Sequence, residues 1–336
     1  MTVRIWIVAP LPVMLAACNG FQNAMGGDGA EGANFVSLFK LFLIVCSVMY
    51  VIIVAAMLVA VWRRRKSALT VDDRRHHETS HVVTPALAAW TAIIVVGLTI
   101  LTVASFLTDR SNAANAYKPA MHLTVTANQW WWDVRYEQPD VSKTVRTANE
   151  LHLPVDTPVH VTLKSNDVIH SFWIPNLAGK QDLIPGRMTD AQLLPRKTGL
   201  YRGQCAEFCG VQHAQMALDV TVESKADFER WYSAQLATAK PPATPMQLAG
   251  LRYFTDRECG ACHNIGGTPA GGQVAPDLTH LASRRSIAAG TMPMNKGNLY
   301  GWVADPQSLK PGNHMPTVGL EPKELHALVA YLETLK

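Results

Sequence analysis

Hydrophobic residues follow one another along this chain in distinct textures. A short apolar stretch, 5–17, comes after Arg4 and ends at Cys18. Two longer runs, 41–62 and 82–107, contain no charged residue. Each exceeds the ~20 residues that cross ~30 Å of hydrocarbon at ~1.5 Å per residue, so both read as membrane spans. The first stretch is too short to be one. From Met121 to about Val222 the pattern becomes alternation in short runs broken by turn residues, as in Val159-His160-Val161-Thr162-Leu163. Such runs predict a compact antiparallel sandwich or barrel. The Ala/Pro/Thr-rich stretch 237–245 reads as a linker. Beyond it the spacing turns helical, in Met246–Thr255 and again in Glu321–Leu335, where Pro322 takes a favoured first-turn position.

Composition and charge turn this pattern into a topology. The 336 residues leave room for two or three domains, and 48% hydrophobic content suits a few spans attached to sizeable soluble parts. Between Arg63 and His81 lie six basic and three acidic residues, which leaves the rest of a +4 chain near neutral. The positive-inside rule puts this loop in the cytoplasm and both chain ends outside. The basic charge therefore reports topology, and nothing argues for nucleic acid. Leu15-Ala16-Ala17-Cys18 resembles the bacterial lipobox, which implies a lipoprotein-type signal peptide over 1–18 and a lipidated Cys18. An ordinary signal peptide ending near a cysteine is the other reading. Residues 19–34, rich in Gly, Ala and Asn, read as a flexible tether, and 35–110 as a transmembrane hairpin. Cys46, inside the first span, reads as a packing residue.

The remaining four cysteines would then face an oxidising compartment, where unpaired thiols need a reason to exist. The segment Cys205-Ala206-Glu207-Phe208-Cys209-Gly210-Val211-Gln212-His213-Ala214-Gln215-Met216 gathers two thiols, an imidazole and a thioether between two predicted strands. Soft sulfur donors with imidazole favour copper over hard cations. Two cysteines on one loop, with three residues between them, can set both sulfurs between two metal ions. A further imidazole lies upstream in Asp167-Val168-Ile169-His170-Ser171-Phe172-Trp173. A Cys205–Cys209 disulfide would leave His170, His213 and Met216 without a role.

On these residues the sequence resembles subunit II of the haem–copper oxidases. Asp182-Leu183-Ile184-Pro185-Gly186-Arg187, Gly199-Leu200-Tyr201-Arg202-Gly203-Gln204 and Gln129-Trp130-Trp131-Trp132 extend the match, which covers about 35 to 235. The resemblance implies a cupredoxin-like Greek-key β-barrel over 118–236 that holds two copper ions as a CuA centre. Its ligands map onto His170, Cys205, the backbone carbonyl of Glu207, Cys209, His213 and Met216. It also implies a Mg or Mn ion shared with subunit I through the Glu207 carboxylate. Trp130 resembles the family's surface tryptophan at which electrons enter; a core or membrane-interface aromatic is the other reading.

Cys259-Gly260-Ala261-Cys262-His263 is the C-x-x-C-H pattern of covalent c-type haem, with His263 as the proximal iron ligand. A redox dithiol would need a βαβ context, and structural zinc would need four ligands. A sixth ligand should come from a later loop, where Met292, Met294 and Met315 are candidates. Lys310-Pro311-Gly312-Asn313-His314-Met315-Pro316 resembles the distal loop of small class I cytochromes c, which favours Met315 and makes 246–336 an all-α cytochrome c domain. The adjacent His314 leaves a bis-histidine haem open. Ala275-Pro276-Asp277-Leu278 also resembles that family, in which the proline carbonyl orients the proximal histidine.

The whole arrangement is similar to subunit II of the caa-type cytochrome c oxidases. It implies a multi-pass protein of the bacterial inner membrane with both soluble domains on the outer side. Cytochrome c or another periplasmic donor would reduce the haem, the haem the copper pair, and the pair subunit I. Oxygen reduction to water, with proton translocation, would then belong to subunit I, with subunit III a further partner. A relay subunit of a CuA-containing nitric oxide reductase is the alternative, and only the catalytic partner separates the two. Quinol oxidase subunits lack the copper ligands, and a copper carrier has no use for a covalent haem.

Overall fold

The computed structural model describes residues 20–66, 75–114 and 118–336. The expected signal peptide with Cys18, and residues 67–74 of the basic loop, lie outside the described residues. The chain divides into two compact units, residues 34–116 and the remainder.

The first unit is a helical hairpin. α1 spans Ala30–Lys66 and α2 spans Arg75–Ala114. Within them, stretches of 34 and 31 residues are long and apolar enough to cross a membrane. Both helices run past the apolar runs 41–62 and 82–107, because helical hydrogen bonding continues where the side chains turn polar. Near one end the amide of Asn34 donates to Asn112 Oδ1 at 2.6 Å, and Gly97 of α2 lies against Val45 of α1. Most of the large apolar side chains point outward and are exposed, including Ile44, Val51, Leu58, Leu98 and Phe106. A helix that is apolar all round suits lipid rather than water.

The second unit contains a β sandwich and a helical domain. Its strands are β1 (Met121–Asn128), β2 (Trp131–Glu137), β3 (Val145–Ala148), β4 (Glu150–Pro154), β5 (Val159–Ser165), β6 (His170–Trp173), β7 (Gln181–Leu183), β8 (Thr189–Leu193), β9 (Gly199–Cys205) and β10 (Ala217–Glu223). They form two five-stranded sheets, ordered β3-β2-β1-β5-β8 and β4-β10-β9-β6-β7. Two neighbouring pairs, β1 with β5 and β10 with β4, are parallel; the others are antiparallel. Alternate residues of each strand fill one core, including Val125, Trp132, Val161, Phe172, Leu183 and Val220. This is the sandwich that the strand pattern led one to expect, and the cupredoxin-like domain that the resemblance implied. Helix α3 (Lys225–Gln235) closes it, with Phe228, Trp231 and Tyr232 clustered on Tyr136.

Residues 20–33, expected as a flexible tether, are bonded along this sandwich instead. The amides of Asp28, Gly29 and Gly32 donate to the Asn176 and Leu177 carbonyls at 2.9, 3.2 and 3.0 Å. A side chain at Gly29 would overlap the main chain of Leu177, so here glycine permits close approach rather than freedom.

The helical domain comprises α4 (Pro245–Asp256), the short α5 (Cys259–Cys262), α6 (Lys296–Ala304), α7 (Pro306–Leu309) and α8 (Pro322–Leu332). Thr244 and Gln247 form a capping box that starts α4 directly after the linker. Glu324 accepts from the Glu321 amide at 3.0 Å and takes two bonds from Arg257, tying the start of α8 to the end of α4. The two helices cross at Gly250, packing Phe254 with Leu328 and Tyr331. A Cβ at Gly250 would overlap the carbonyl oxygen of Ala327 and crowd Tyr331. Gly250→Ala is therefore expected to destabilise the helical domain by about 1–3 kcal/mol, as overpacking does. Thermal melting followed at the haem band should fall, with the copper band unchanged; an unaltered haem transition would refute this crossing.

Candidate metal centre and haem site

The first site arises where three strands of one sheet meet. β9 pairs with β6 so that Cys205 lies opposite Phe172, and the Ala206 amide donates to the Ser171 carbonyl at 3.0 Å. This brings His170, at the head of β6, beside Cys205. The loop after Cys205 returns to β10, and the Cys205 amide donates to the Met216 carbonyl at 2.9 Å. Between these ends, Gly210 and His213 close a tight turn, with the His213 amide donating to the Gly210 carbonyl at 3.0 Å.

All six expected donors converge. The Cys205 and Cys209 sulfurs stand 3.7 Å apart as free thiols. His170 Nδ1 lies 3.7 Å from the Cys205 sulfur, and the Glu207 carbonyl oxygen lies 3.3 Å from it. Around Cys209, His213 Nδ1 lies at 3.6 Å and Met216 Sδ at 3.9 Å. Donors that share one ion at bond lengths of ~2.0–2.3 Å are at most about 4.6 Å apart, so every one of these separations fits a metal. His170 stands beside Cys205 and His213 beside Cys209, a set of sulfur and imidazole donors that fits a soft metal such as copper.

Electrostatics prepares the donors. The hydrogen bond between the sulfurs outweighs burial and draws the Cys205 thiol down to about 3, while the same bond, reinforced by burial, pushes Cys209 up. A metal takes both cysteines as thiolates, so its binding releases protons. His170 Nε2 donates to Asp167 Oδ1 at 2.8 Å, leaving Nδ1 as the free donor toward Cys205. Burial is the strongest single influence and opposes a charged His170, but the bonds to Asp167 and Cys205 and the charges of both together overcome it and raise the imidazole. Burial likewise opposes an ionised Asp167, and the bonds from His170 and from the Val168 and Gln129 amides lower it nonetheless. The sequence showed Asp167 without its task, because the Gln129 bond of 2.6 Å comes from a distant strand end. The Glu207 carboxylate points away from the sulfurs and pairs with Lys180 at 3.3 Å on the surface.

Trp130 is 7% exposed, and its indole Nε1 donates to the Cys209 carbonyl at 3.0 Å. Its ring is covered by His314 of the helical domain, centroid to centroid 5.6 Å. A surface role facing an outside partner thus gives way to a contact inside the chain.

In the helical domain, Cys259 and Cys262 bracket α5, and His263 follows as its cap, its amide bonded to the Cys259 carbonyl at 3.0 Å. His263 Nδ1 donates to the Pro276 carbonyl at 2.7 Å, so Nε2 is the nitrogen left for iron. Burial keeps this imidazole neutral, the form a metal ligand requires. Two thiols and one oriented imidazole on a single short turn fit a covalent haem c. Met315 lies on the loop between α7 and α8, its amide bonded to Asn313 Oδ1 and its carbonyl to Gln307. Met292 and Met294 pack against the helical core.

Asp167→Asn would keep the shape of the first site and lose the charge that fixes the His170 ring. Copper affinity is expected to fall by about 10- to 100-fold with haem content unchanged, as such outer partners do. Competition with a chelator measures it, and equal retention would remove Asp167 from the site.

Both domains are similar to those of known proteins. The family described as cytochrome c oxidase subunit II, periplasmic domain, matches residues 121–224, and the cytochrome c family matches 248–336. A cytochrome c oxidase subunit 2 of Alkalihalophilus pseudofirmus is 32% identical over 253 residues, covering 74% of this chain and 72% of the relative. Another, from Bacillus sp. strain PS3, is 34% identical over 266 residues, covering 74% and 73%. The crystal structure of the periplasmic domain of cytochrome oxidase subunit II from Bradyrhizobium japonicum is 30% identical, covers 36% of this chain and 96% of that one, and has a TM-score of 0.34. Copper and haem c are the cofactors of these two domains, which lie outside the membrane that the two apolar helices cross. The chain belongs to the cytochrome c oxidase subunit II family, as an electron-transfer subunit of that oxidoreductase complex carrying its own cytochrome c domain.

Proposed function

We propose that this chain takes electrons from an external cytochrome c or similar periplasmic donor and passes them through haem c and a binuclear CuA centre to the haem–copper site of subunit I. When bound, haem and copper supply one-electron carriers; the chain's own residues hold and orient them. His170, Cys205, the Glu207 carbonyl, Cys209, His213 and Met216 hold the copper pair, and Cys259, Cys262, His263 and Met315 hold the haem. Oxygen reduction and proton translocation belong to subunit I, with subunit III a further partner in the bacterial inner membrane. The Glu207 carboxylate joins subunit I in binding Mg or Mn once Lys180 releases it. Residues 1–18 act as a lipoprotein signal, with Cys18 lipidated. The other working boundaries are 35–110 for the hairpin, 118–236 for the copper domain, 237–245 for the linker and 246–336 for the haem domain.

The observation that supports this direction of flow is the place of Trp130. Its ring touches His314, next to Met315, and its indole bonds to the carbonyl of the donor residue Cys209. The indole therefore joins the two cofactor loops through one side chain. Electrons enter the copper centre at Trp130 from within the chain, not from a protein docked on its face.

Photoreduction of the haem in the purified protein tests the reading. The haem should reoxidise in step with bleaching of the copper near-infrared band, in equal amounts; reoxidation without copper reduction would sink it. Trp130→Leu is expected to slow that step by about tenfold or more, equivalent to ~1.4 kcal/mol of barrier, with both spectra retained. An unchanged rate would mean the electrons travel elsewhere.

A further inference from the structure

Lys310 is a buried cation with no part in either ligand set. Only 3% of it is exposed. Its ammonium donates to three carbonyls, Gln215 at 2.9 Å, Trp130 at 3.0 Å and Ala288 at 3.1 Å. The first two belong to the copper domain and the third to the haem domain. Three donors meet three acceptors, so the group is saturated. No carboxylate pairs with it among the described residues.

Both ends of this contact are rigidly attached to the chemistry. Gln215 stands between His213 and Met216, and Trp130 carries the ring that touches His314. On the haem side, residues 310–315 are cross-bonded into one piece. Asn313 Nδ2 donates to the Lys310 carbonyl at 2.7 Å, its Oδ1 accepts from the Met315 amide at 2.8 Å, and Gln307 Nε2 donates to the Met315 carbonyl at 2.7 Å. Gln212, in the copper loop, adds a bond to the Pro311 carbonyl at 2.6 Å. Wherever Lys310 is held, His314 and Met315 follow.

We propose that Lys310 is a positioning residue, a clasp that fixes the haem-domain loop in one register on the copper loop and Trp130. Burying an ammonium costs several kcal/mol, and that cost cancels much of what its bonds contribute to docking strength. Its contribution is register: only one placement of the two domains brings these three carbonyls to a single point. Lysine does this where arginine could not, because its compact head reaches three converging oxygens.

The proposal rests on the electron path above, and the experiment separates the two. Lys310→Met keeps the side-chain length and removes every donor. In the full protein with both cofactors, haem absorbance and the copper paramagnetic signal per chain are expected to match wild type. Amide hydrogen exchange over 211–216 and 310–315 should speed up by about tenfold, and haem-to-copper transfer should slow by a similar factor and become heterogeneous. If either the exchange or the transfer is unchanged while both cofactors are present, the clasp is overturned. Should the methionine variant fail to mature, Lys310→Gln, which keeps two donors, is judged by the same two readouts. A wild-type chain with no copper-pair signal would defeat the electron path itself, and the exchange measurement would still decide the clasp.

Discussion

The register of β9 between β6 and β10 is the constraint on which this molecule turns. Side chains alternate across a strand, so Tyr201, Gly203 and Cys205 face the interior while the residues between them do not. A slip of one residue would send Cys205 to the opposite face and carry it away from His170. The register is held by the core that the same strands build, through Phe172, Leu183, Leu218 and Val220. Packing and metal binding are therefore one requirement at this point, although donors as far apart in sequence as His170 and Met216 take part.

A cluster of thiols and imidazoles in an apolar core does not stabilise a fold by itself. The two sulfurs lie 3.7 Å apart in the core, and the His170 ring is kept in place by the half-buried Asp167 carboxylate. Polar groups buried in this way cost free energy unless satisfied. The core of Trp132, Phe172 and their neighbours carries that burden, and a metal that binds only the folded arrangement adds to its stability. The haem site divides the work differently. Its three attachment residues lie on one turn, so short-range geometry places them and the Pro276 carbonyl supplies the orientation.

How legible each part was in the sequence follows from this difference. The donors of the copper loop and the C-x-x-C-H turn could be read because chemistry dictates their spacing. α4 and α8 could be read because their residues turn to helical spacing, and Pro322 announces the start of α8. What escaped reading was set by distant contacts. Asp167 looks like a loop acid until the Gln129 amide meets it. The glycine-rich stretch before α1 looks slack, whereas its glycines let it lie against Asn176 and Leu177. The parallel pairing of β1 with β5 joins strands far apart in the chain, and alternation alone cannot choose it. Lys310 was hidden for a statistical reason: a lysine in a polar loop is almost always solvated.

The contact between the two soluble domains decides what kind of electron carrier this is. A nine-residue linker already keeps the haem domain at a local concentration of order millimolar, so meeting the copper domain needs no help. Orientation is what tethering leaves undefined. The interface answers it with charges that tolerate few arrangements: Arg284 lies 3.7 Å from Glu150, both buried, and the buried Lys310 ammonium meets carbonyls of both domains. Losing one partner of a buried pair strands a charge at a cost of about 3–5 kcal/mol, so misaligned dockings are penalised more than separated domains, whose charges regain water. The haem domain is thus selected to sit correctly or not at all. That suits the proposed relay, in which the Trp130 indole lies between the two cofactor loops.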